Sequence, residues 1–240
     1  MKSLNHILDA STPYSIFSPY ISAYSQSINI FKFGWGSALI DPEFKKKLQL
    51  LRQCEIIPML GGTLFEYFYQ KHRLSEFNEF LNSHNIDWVE LSRGSIDIDD
   101  DIYFSLVKEY SSDFTVLSEV GSKSTFVSDN MTDDDWISSS QQSLENGASK
   151  IVLEARESGS AGIVDANGRI KESLLNLLVN DIGLEKIIFE APTKSMQSFL
   201  INCFGASVNL GNISLQSILP VQALRHRLRS DTLLEPQINN

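Results

Sequence analysis

Residues 150–159 read KIVLEARESG, a short β-branched and apolar run that ends in a carboxylate and is soon followed by a glycine. Seven further runs of related form begin near positions 6, 28, 55, 87, 115, 186 and 207. Most of them lack a strict alternation of polar and apolar residues, which is typical of strands that are covered on both faces. Consecutive runs start 21 to 36 residues apart, the length of a strand, a helix and two loops.

The stretches between these runs carry signals for helices. Asp41, followed by a proline, predicts a helix that begins beside it. Thr63 and Glu66 have the spacing of a capping box, so we expect Glu66 to cap its own helix rather than to act in catalysis. Thr132 with three acidic residues at 133–135 predicts another helix start, where negative charge is favourable. Glycines fall where three helices should end: Gly147, Gly183 and Gly205.

Eight strand and helix units in 240 residues predict an α/β fold, a single-domain (β/α)8 TIM barrel. The alternative is a doubly wound open sheet, because the sequence alone does not show whether the sheet closes. We predict one barrel domain over residues 1–235 and a polar tail over residues 236–240.

Composition narrows the function classes. Hydrophobic residues make up 42% and charged residues 21%, with a mean hydropathy of -0.11, as in soluble globular proteins. No window approaches the length of an apolar membrane span, and the first residues hold no apolar leader segment, so we expect a cytoplasmic protein without a membrane partner. The two distant cysteines, Cys54 and Cys203, fit a reducing compartment. The net charge of -10 argues against nucleic acid as a partner.

Acidic side chains mark the ends of four successive predicted strands: Glu90, Glu119, Glu154 and Glu190. In parallel α/β folds, catalytic groups collect where strands end. Carboxylates gathered there repel one another unless a cation lies between them, and a hard divalent cation such as Mg²⁺ is the usual solution. The alternative is pairing with basic residues of the same rim: Lys32, Lys123, Arg156 and Lys194. Pairing explains any single glutamate as well as a metal does, but it explains all four together poorly.

Basic residues and glycines share this rim. A lysine in a mixed-charge, partly buried site can donate a proton near neutral pH, and arginine offers a planar fork for phosphate or carboxylate. Gly34 and Gly211 would let backbone N–H groups approach a ligand closely, and Trp35 is expected to line the mouth of the pocket. The four histidines, His6 among them, lack zinc-binding spacing. We therefore expect small anionic substrates held by local cations.

Taken in order, the strand-end segments resemble the phosphosulfolactate synthase family (the ComA type). The matching segments are LDA, KFGWGSA, GGTLFE, VELSRGS, SEVGSK, LEARESG, FEAPTKSMQ, VNLGNI and LRSDTL, between residues 8 and 233. The resemblance implies a (β/α)8 barrel that adds sulfite to phosphoenolpyruvate with Mg²⁺, giving (2R)-phospho-3-sulfolactate. It leaves the oligomeric state open, and a homo-oligomer is compatible with the sequence.

The resemblance also implies roles for particular residues. Lys123 is expected to be the acid that protonates the substrate carbon, with Lys32 and Glu119 as further catalytic residues. The metal shell, direct or through water, is expected to comprise Glu90, Glu119, Glu154 and Glu190. The expected substrate-binding residues are Asp9, Gly34, Trp35, Arg93, Arg156, Glu157, Ser158, Lys194, Asn209, Gly211 and Asn212.

Three segments depart from the family pattern. Asp9 is followed by Ala10 rather than by a basic residue, Arg93 stands where an acidic residue is expected, and Ser230 replaces a glycine. The charge reversal at Arg93 leaves open a related enzyme that adds a different nucleophile to phosphoenolpyruvate or to another enol acid. A second alternative is an inactive member with a binding or protective role, like plant heat-stress-associated proteins. The four strand-end glutamates and Lys123 argue against it.

Overall fold

The computed structural model describes residues 3–122, 130–155, 162–165 and 169–233. Eight parallel strands form a closed barrel in sequence order, which confirms the predicted (β/α)8 fold and excludes the open sheet. The strands are β1 (Asn5–Asp9), β2 (Ile30–Phe33), β3 (Ile57–Gly61), β4 (Trp88–Leu91), β5 (Thr115–Val120), β6 (Lys150–Leu153), β7 (Ile187–Glu190) and β8 (Leu210–Ile213).

Helices connect the strands around the barrel. Those of the described ranges are α1 (Tyr14–Tyr24), α2 (Phe44–Gln53), α3 (Thr63–Gln70), α4 (Leu74–Ser83), α5 (Asp100–Tyr110), α6 (Asp133–Glu145), α7 (Glu172–Ile182), α8 (Lys194–Phe204) and α9 (Ile218–Arg225). Short 3-10 helices cover Ser25–Ser27, Gly34–Leu39, Leu184–Lys186 and Leu215–Ser217. None of the helices described is long and apolar enough to cross a membrane.

Two predicted helix starts differ from the structure. Thr63 is the first residue of α3, and its side chain caps nothing; Glu66 instead accepts hydrogen bonds from the Ser92 hydroxyl at 2.8 Å and the Ser95 backbone N–H at 3.1 Å. The capping-box prediction is therefore wrong, because Glu66 is buried against the loop after β4. Helix α2 begins at Phe44, so the start signal at Asp41 lies three residues early.

The interior of the barrel is divided into an apolar and a polar level. The apolar level is filled by Ile30, Met59, Leu117, Val152 and Ile188. Four of these apolar residues are followed, two positions later in the chain, by a charged residue: Lys32, Glu119, Glu154 and Glu190. Because side chains two apart on a strand share a face, these polar groups also point into the barrel. The strand period thus carries one ammonium and three carboxylates to the carboxyl end of the barrel interior.

Outward-facing strand residues build the larger core between the barrel and its helices. Ile7, Phe31, Val89, Ile151 and Phe189 belong to one continuous apolar cluster with helix residues such as Phe17, Leu81 and Val107. This packing fixes each strand in register and so fixes the interior side chains that the strands carry. The predicted tail at 236–240 lies outside the described residues, and the domain boundary at 235 stays a prediction.

Candidate active site

Three carboxylates meet at the carboxyl end of the barrel. Glu119 lies in β5, Glu154 directly follows β6, and Glu190 is the last residue of β7. One oxygen of each lies within 4.8 Å of the others, and all three side chains are buried. Three of the four strand-end glutamates predicted to form a metal shell therefore converge. Oxygen atoms at this spacing suit a hard divalent cation.

The carboxyl group of Glu190 has a strongly raised pKa. Desolvation by burial, followed by the repulsion of Glu119, raises its pKa to about 8, although Lys32 acts in the opposite direction. One carboxyl oxygen accepts the backbone N–H of Ala155 at 2.8 Å, and the other accepts the side-chain amide of Asn212. The two contacts fix the orientation of the carboxyl group toward its neighbours.

The raised pKa of Glu190 predicts how stability depends on pH when no metal is bound. The folded state keeps a proton up to about pH 8, whereas the unfolded chain loses it near its ordinary pKa of 4.5. The folded state then binds more protons, so this group makes the free energy of unfolding fall as the pH rises through that window. In urea unfolding with a chelator present, the free energy of unfolding of Glu190→Gln should fall less steeply with pH than that of the unaltered protein. An identical pH dependence in both proteins would contradict the assignment.

The fourth glutamate, Glu90, has a different partner. The ammonium of Lys32 contacts its carboxylate at 2.5 Å, and both side chains are buried. Burial alone lowers the pKa of Lys32, but the combined attraction of Glu90, Glu190 and Glu119 outweighs it and raises that pKa. Lys32 therefore stays charged near neutral pH and places a buried positive charge beside the carboxylates.

Gly61 and Gly62 make room for this ion pair. A Cβ atom on Gly61 would lie 2.1 Å from the backbone oxygen of Glu90, and one on Gly62 would lie 2.7 Å from its carboxylate. The backbone N–H of Gly62 also donates to the Glu90 carbonyl at 2.8 Å. Two glycines at the end of a strand already signal such a close approach of backbone in the sequence.

We expect Gly62→Ala to lower the free energy of unfolding by about 1–3 kcal/mol and to remove most of the activity. The new methyl group would collide with the Glu90 carboxylate, and the φ of +57° at this position is strained for any residue with a Cβ atom. Gly205→Ala is the matched control, since its φ of +86° is also positive but its Cβ would meet nothing within 4 Å. Unfolding and activity assays on both variants check this. Full activity in a folded Gly62→Ala protein would contradict it.

A β-bulge in β8 directs Asn212 into the site. Asn5 pairs with Leu210 and Ile7 pairs with Ile213, so two residues of β8, Gly211 and Asn212, face one residue of β1. Asn212 has a φ of +51°, and its amide reaches the carboxylate of Glu190. The extra residue re-aims this side chain, a common use of bulges near active sites.

The residues after β1 and β2 form the edge of the mouth. Asp9 accepts hydrogen bonds from the Thr12 hydroxyl at 2.6 Å and from its N–H, and so closes the turn after β1. Gly34 is buried against Leu8, whereas Trp35 is 63% exposed and has a φ of +51°. Trp35 thus lies in the 3-10 helix Gly34–Leu39 that follows β2, and its ring is open to solvent.

Arg93 is paired locally. It lines a cavity of about 610 Å³ that reaches Glu119, yet its guanidinium contacts the carboxylate of Asp100 at 2.5 Å and stacks 4.6 Å from the ring centre of Tyr103. Arg93 carries a positive charge where the family pattern has an acidic residue, and the carboxylate of Asp100 in α5 offsets that charge. Lys194 is similarly paired, since its ammonium contacts Asp231 at 2.9 Å on the surface.

Asn209 lies at the opposite end of the barrel from the carboxylates. Its side chain accepts the N–H of Leu4 at 3.1 Å and donates to the carbonyl of Ile187 at 2.9 Å. Ile187 is the first residue of β7, about 10 Å from Glu190 along the strand. The structure therefore places Asn209 among the starts of the strands and apart from the three carboxylates, and its substrate role stays a prediction.

Four predicted site residues lie outside the described residues: Lys123, Arg156, Glu157 and Ser158. Their roles stay predictions from the sequence. The described part of the site comprises three clustered carboxylates, the Lys32–Glu90 pair, and the Gly211–Asn212 bulge.

A closed (β/α)8 barrel with buried carboxylates and an ammonium at the carboxyl ends of its strands has the architecture of a TIM-barrel enzyme, with an acidic candidate active site. The sequence model of one family, described as (2R)-phospho-3-sulfolactate synthase (ComA), matches residues 1–231. The chain belongs to this family, as its strand-end segments predict.

Relatives of known name agree with the family. The chain is 37% identical over 235 residues to the phosphosulfolactate synthase of Methanocaldococcus jannaschii, covering 96% of this chain and 94% of that protein. It is 32% identical over 227 residues to the phosphosulfolactate synthase of Bacillus subtilis, covering 94% and 90%. Among solved structures, the 3-keto-L-gulonate-6-phosphate decarboxylase of Vibrio cholerae matches with a TM-score of 0.59 at 10% identity, covering 95% and 100%. That likeness shows the barrel fold alone.

Proposed function

We propose that the protein catalyses the Mg²⁺-dependent addition of sulfite to phosphoenolpyruvate, giving (2R)-phospho-3-sulfolactate. Family membership and the names of its relatives support the product. The observation that carries the proposal is the buried triad of Glu119, Glu154 and Glu190, whose oxygen atoms approach within 4.8 Å.

The residues of this triad fit Mg²⁺. All three offer carboxylate oxygens, which are the ligands that Mg²⁺ prefers, and one or two of them with substrate and water suffice. Lys32 and Glu90 offset each other, so the triad carries the excess negative charge of the described site. When bound there, Mg²⁺ would supply positive charge beside the substrate carboxylate and stabilise the negative charge that develops on it.

The reaction forms one C–S bond and adds one proton to the neighbouring carbon. The sulfur lone pair of sulfite forms the C–S bond at the methylene carbon of phosphoenolpyruvate, and the electron pair of the double bond moves to the carbon that bears the phosphate and into the carboxylate. That carbon then takes a proton from one face. We assign this proton to Lys123, on the sequence alone, and the phosphate ester stays intact.

Other residues stabilise the carboxylates or bind the reactants. Lys32 stays charged beside the carboxylates and limits their repulsion, and Asn212 orients Glu190. The backbone of Gly211 and Asn212, together with Arg156 and Lys194, is proposed to bind phosphate or sulfite. Lys194 would have to leave Asp231 to do so, because the two side chains are paired.

Purified protein with Mg²⁺ should consume phosphoenolpyruvate only when sulfite is present, and a chelator or Lys123→Ala should stop it. Phosphorus NMR follows substrate and product together. If the unaltered protein with Mg²⁺ does not consume phosphoenolpyruvate, the sulfite assignment is overturned, and thiols and other oxyanions would then be screened as nucleophiles.

Because Arg93 is paired with Asp100, we expect Arg93→Asp to leave the choice of nucleophile unchanged.

A further inference from the structure

His6 is a completely buried histidine of β1 that the proposed mechanism does not use. Its neighbour Ile7 packs in the outer core, so by the strand period the imidazole of His6 faces the barrel interior. Within the described ranges, neither ring nitrogen has a hydrogen-bond partner. Buried polar atoms are bonded in about 90% or more of cases, so this imidazole calls for an explanation.

His6 lies opposite the bulge that carries Asn212. The bulge sets Gly211 and Asn212 against this single residue of β1, and a Cβ atom on Gly211 would lie 3.1 Å from Nδ1 of His6. The side-chain oxygen of Asn212 is also buried and lacks a hydrogen-bond partner among the described residues. Two interior side chains on paired strands thus present unused polar atoms.

A water molecule between the two side chains would bond to both of them. Enclosed waters typically make about three hydrogen bonds to buried polar groups that lack other partners. Burial, and then the charge of Lys32, lower the pKa of His6 well below its ordinary value, so its ring is neutral and offers one donor and one acceptor. Water can donate to Asn212 while it bonds to one ring nitrogen.

We propose that His6 is a positioning residue of the site: through one enclosed water molecule, its imidazole holds the side-chain amide of Asn212 in the orientation that faces Glu190. In this orientation the amide nitrogen donates to the Glu190 carboxylate, as the structure has it. The flipped amide would place oxygen against oxygen and disfavour the ionised carboxylate.

This role rests on the proposed function, because an oriented Glu190 matters as a ligand of the metal. Partners that orient metal ligands are typically worth about 10- to 100-fold in metal affinity. The inference therefore predicts that the loss of a buried residue behind the carboxylates weakens Mg²⁺ binding without removing any carboxylate.

Two variants and a control test the role. His6→Leu fills the site with an apolar side chain, whereas His6→Gln keeps a donor and an acceptor. Ile30→Val is the control, a mild change at another buried interior position. By calorimetry we expect His6→Leu to bind Mg²⁺ about tenfold more weakly, His6→Gln to recover most of the loss, and Ile30→Val to match the unaltered protein. Unchanged affinity in a folded His6→Leu protein would overturn the proposal.

NMR of the unaltered protein gives a readout that needs neither activity nor the folding of a variant. With ¹⁵N-labelled histidine, His6 should show one fixed neutral tautomer with at least one ring nitrogen hydrogen-bonded. A ring without hydrogen bonds would overturn the proposal. If the unaltered protein binds no Mg²⁺, the metal of the proposed function fails instead. Hydrogen exchange of the Asn212 side-chain amide then decides the role of His6: faster exchange in His6→Leu supports it, and equal exchange contradicts it.

Discussion

Glu154→Gln should lower kcat/KM for sulfite addition by about 10³-fold and weaken Mg²⁺ binding, while the fold survives. The substitution keeps the shape of a buried side chain at the end of β6 but removes one of three converging charges. Effects of about 10²- to 10³-fold are usual when one group that stabilises developing charge is removed. Steady-state kinetics across a Mg²⁺ titration measures both changes.

The matched control for this substitution is Glu172→Gln, on the exposed face at the start of α7. It removes the same charge from the chain, so any general effect of net charge should appear in both variants. We expect the control to keep its activity and Mg²⁺ dependence. If Glu154→Gln also kept both, the triad would have no part in catalysis.

Lys32→Met should destabilise the protein by about 3–5 kcal/mol and abolish activity. The change leaves the fully buried carboxylate of Glu90 without its cation, and breaking one side of a buried ion pair typically costs this much. Urea unfolding measures the loss of stability, and circular dichroism checks that the variant still folds.

The double variant Lys32→Met with Glu90→Leu separates stability from catalysis. Replacing both members of a buried pair by apolar residues is often close to neutral for stability. We therefore expect the double variant to recover much of the stability lost by Lys32→Met, yet to remain inactive because the buried cation is still missing. Equal stability of the single and double variants would mean that Glu90 carries little charge without Lys32.

The barrel could be predicted because each strand is marked by residues that are adjacent in the sequence. Each strand is a run of apolar residues, and the two-residue period that buries Leu117 and Val152 inside the barrel also brings Glu119 and Glu154 to its polar level. Only the closure of the sheet had to come from the structure, because pairing between β1 and β8 joins residues about 200 positions apart.

Pairings between strands could not be predicted in the same way. Lys32 and Glu90 lie 58 residues apart, and only the register of β2, β3 and β4 brings them together. Glu66 has a capping pattern in the sequence, but in the structure it accepts hydrogen bonds from two donors in the loop after β4. Asn209 lies in a matching segment, but it precedes the first residue of β8 and belongs to the other end of the barrel.

The bulge in β8 turns Asn212 toward Glu190 and sets it opposite His6, and this arrangement could not be predicted from the sequence. A regular strand would turn Asn212 outward after Gly211, and the positive φ of Asn212 reverses that alternation. The sequence holds a Gly-Asn pair there, which is compatible with such backbone, but nothing in it links the pair to a histidine near residue 6.

The most direct measurement is a crystal structure with Mn²⁺, which prefers oxygen ligands as Mg²⁺ does, solved with anomalous differences at the manganese edge. We expect one strong peak among Glu119, Glu154 and Glu190, with about 2.1 Å to at least one carboxylate oxygen. A fully occupied peak elsewhere in the barrel, or none at saturating Mn²⁺, would contradict a metal-assisted reaction at these three carboxylates.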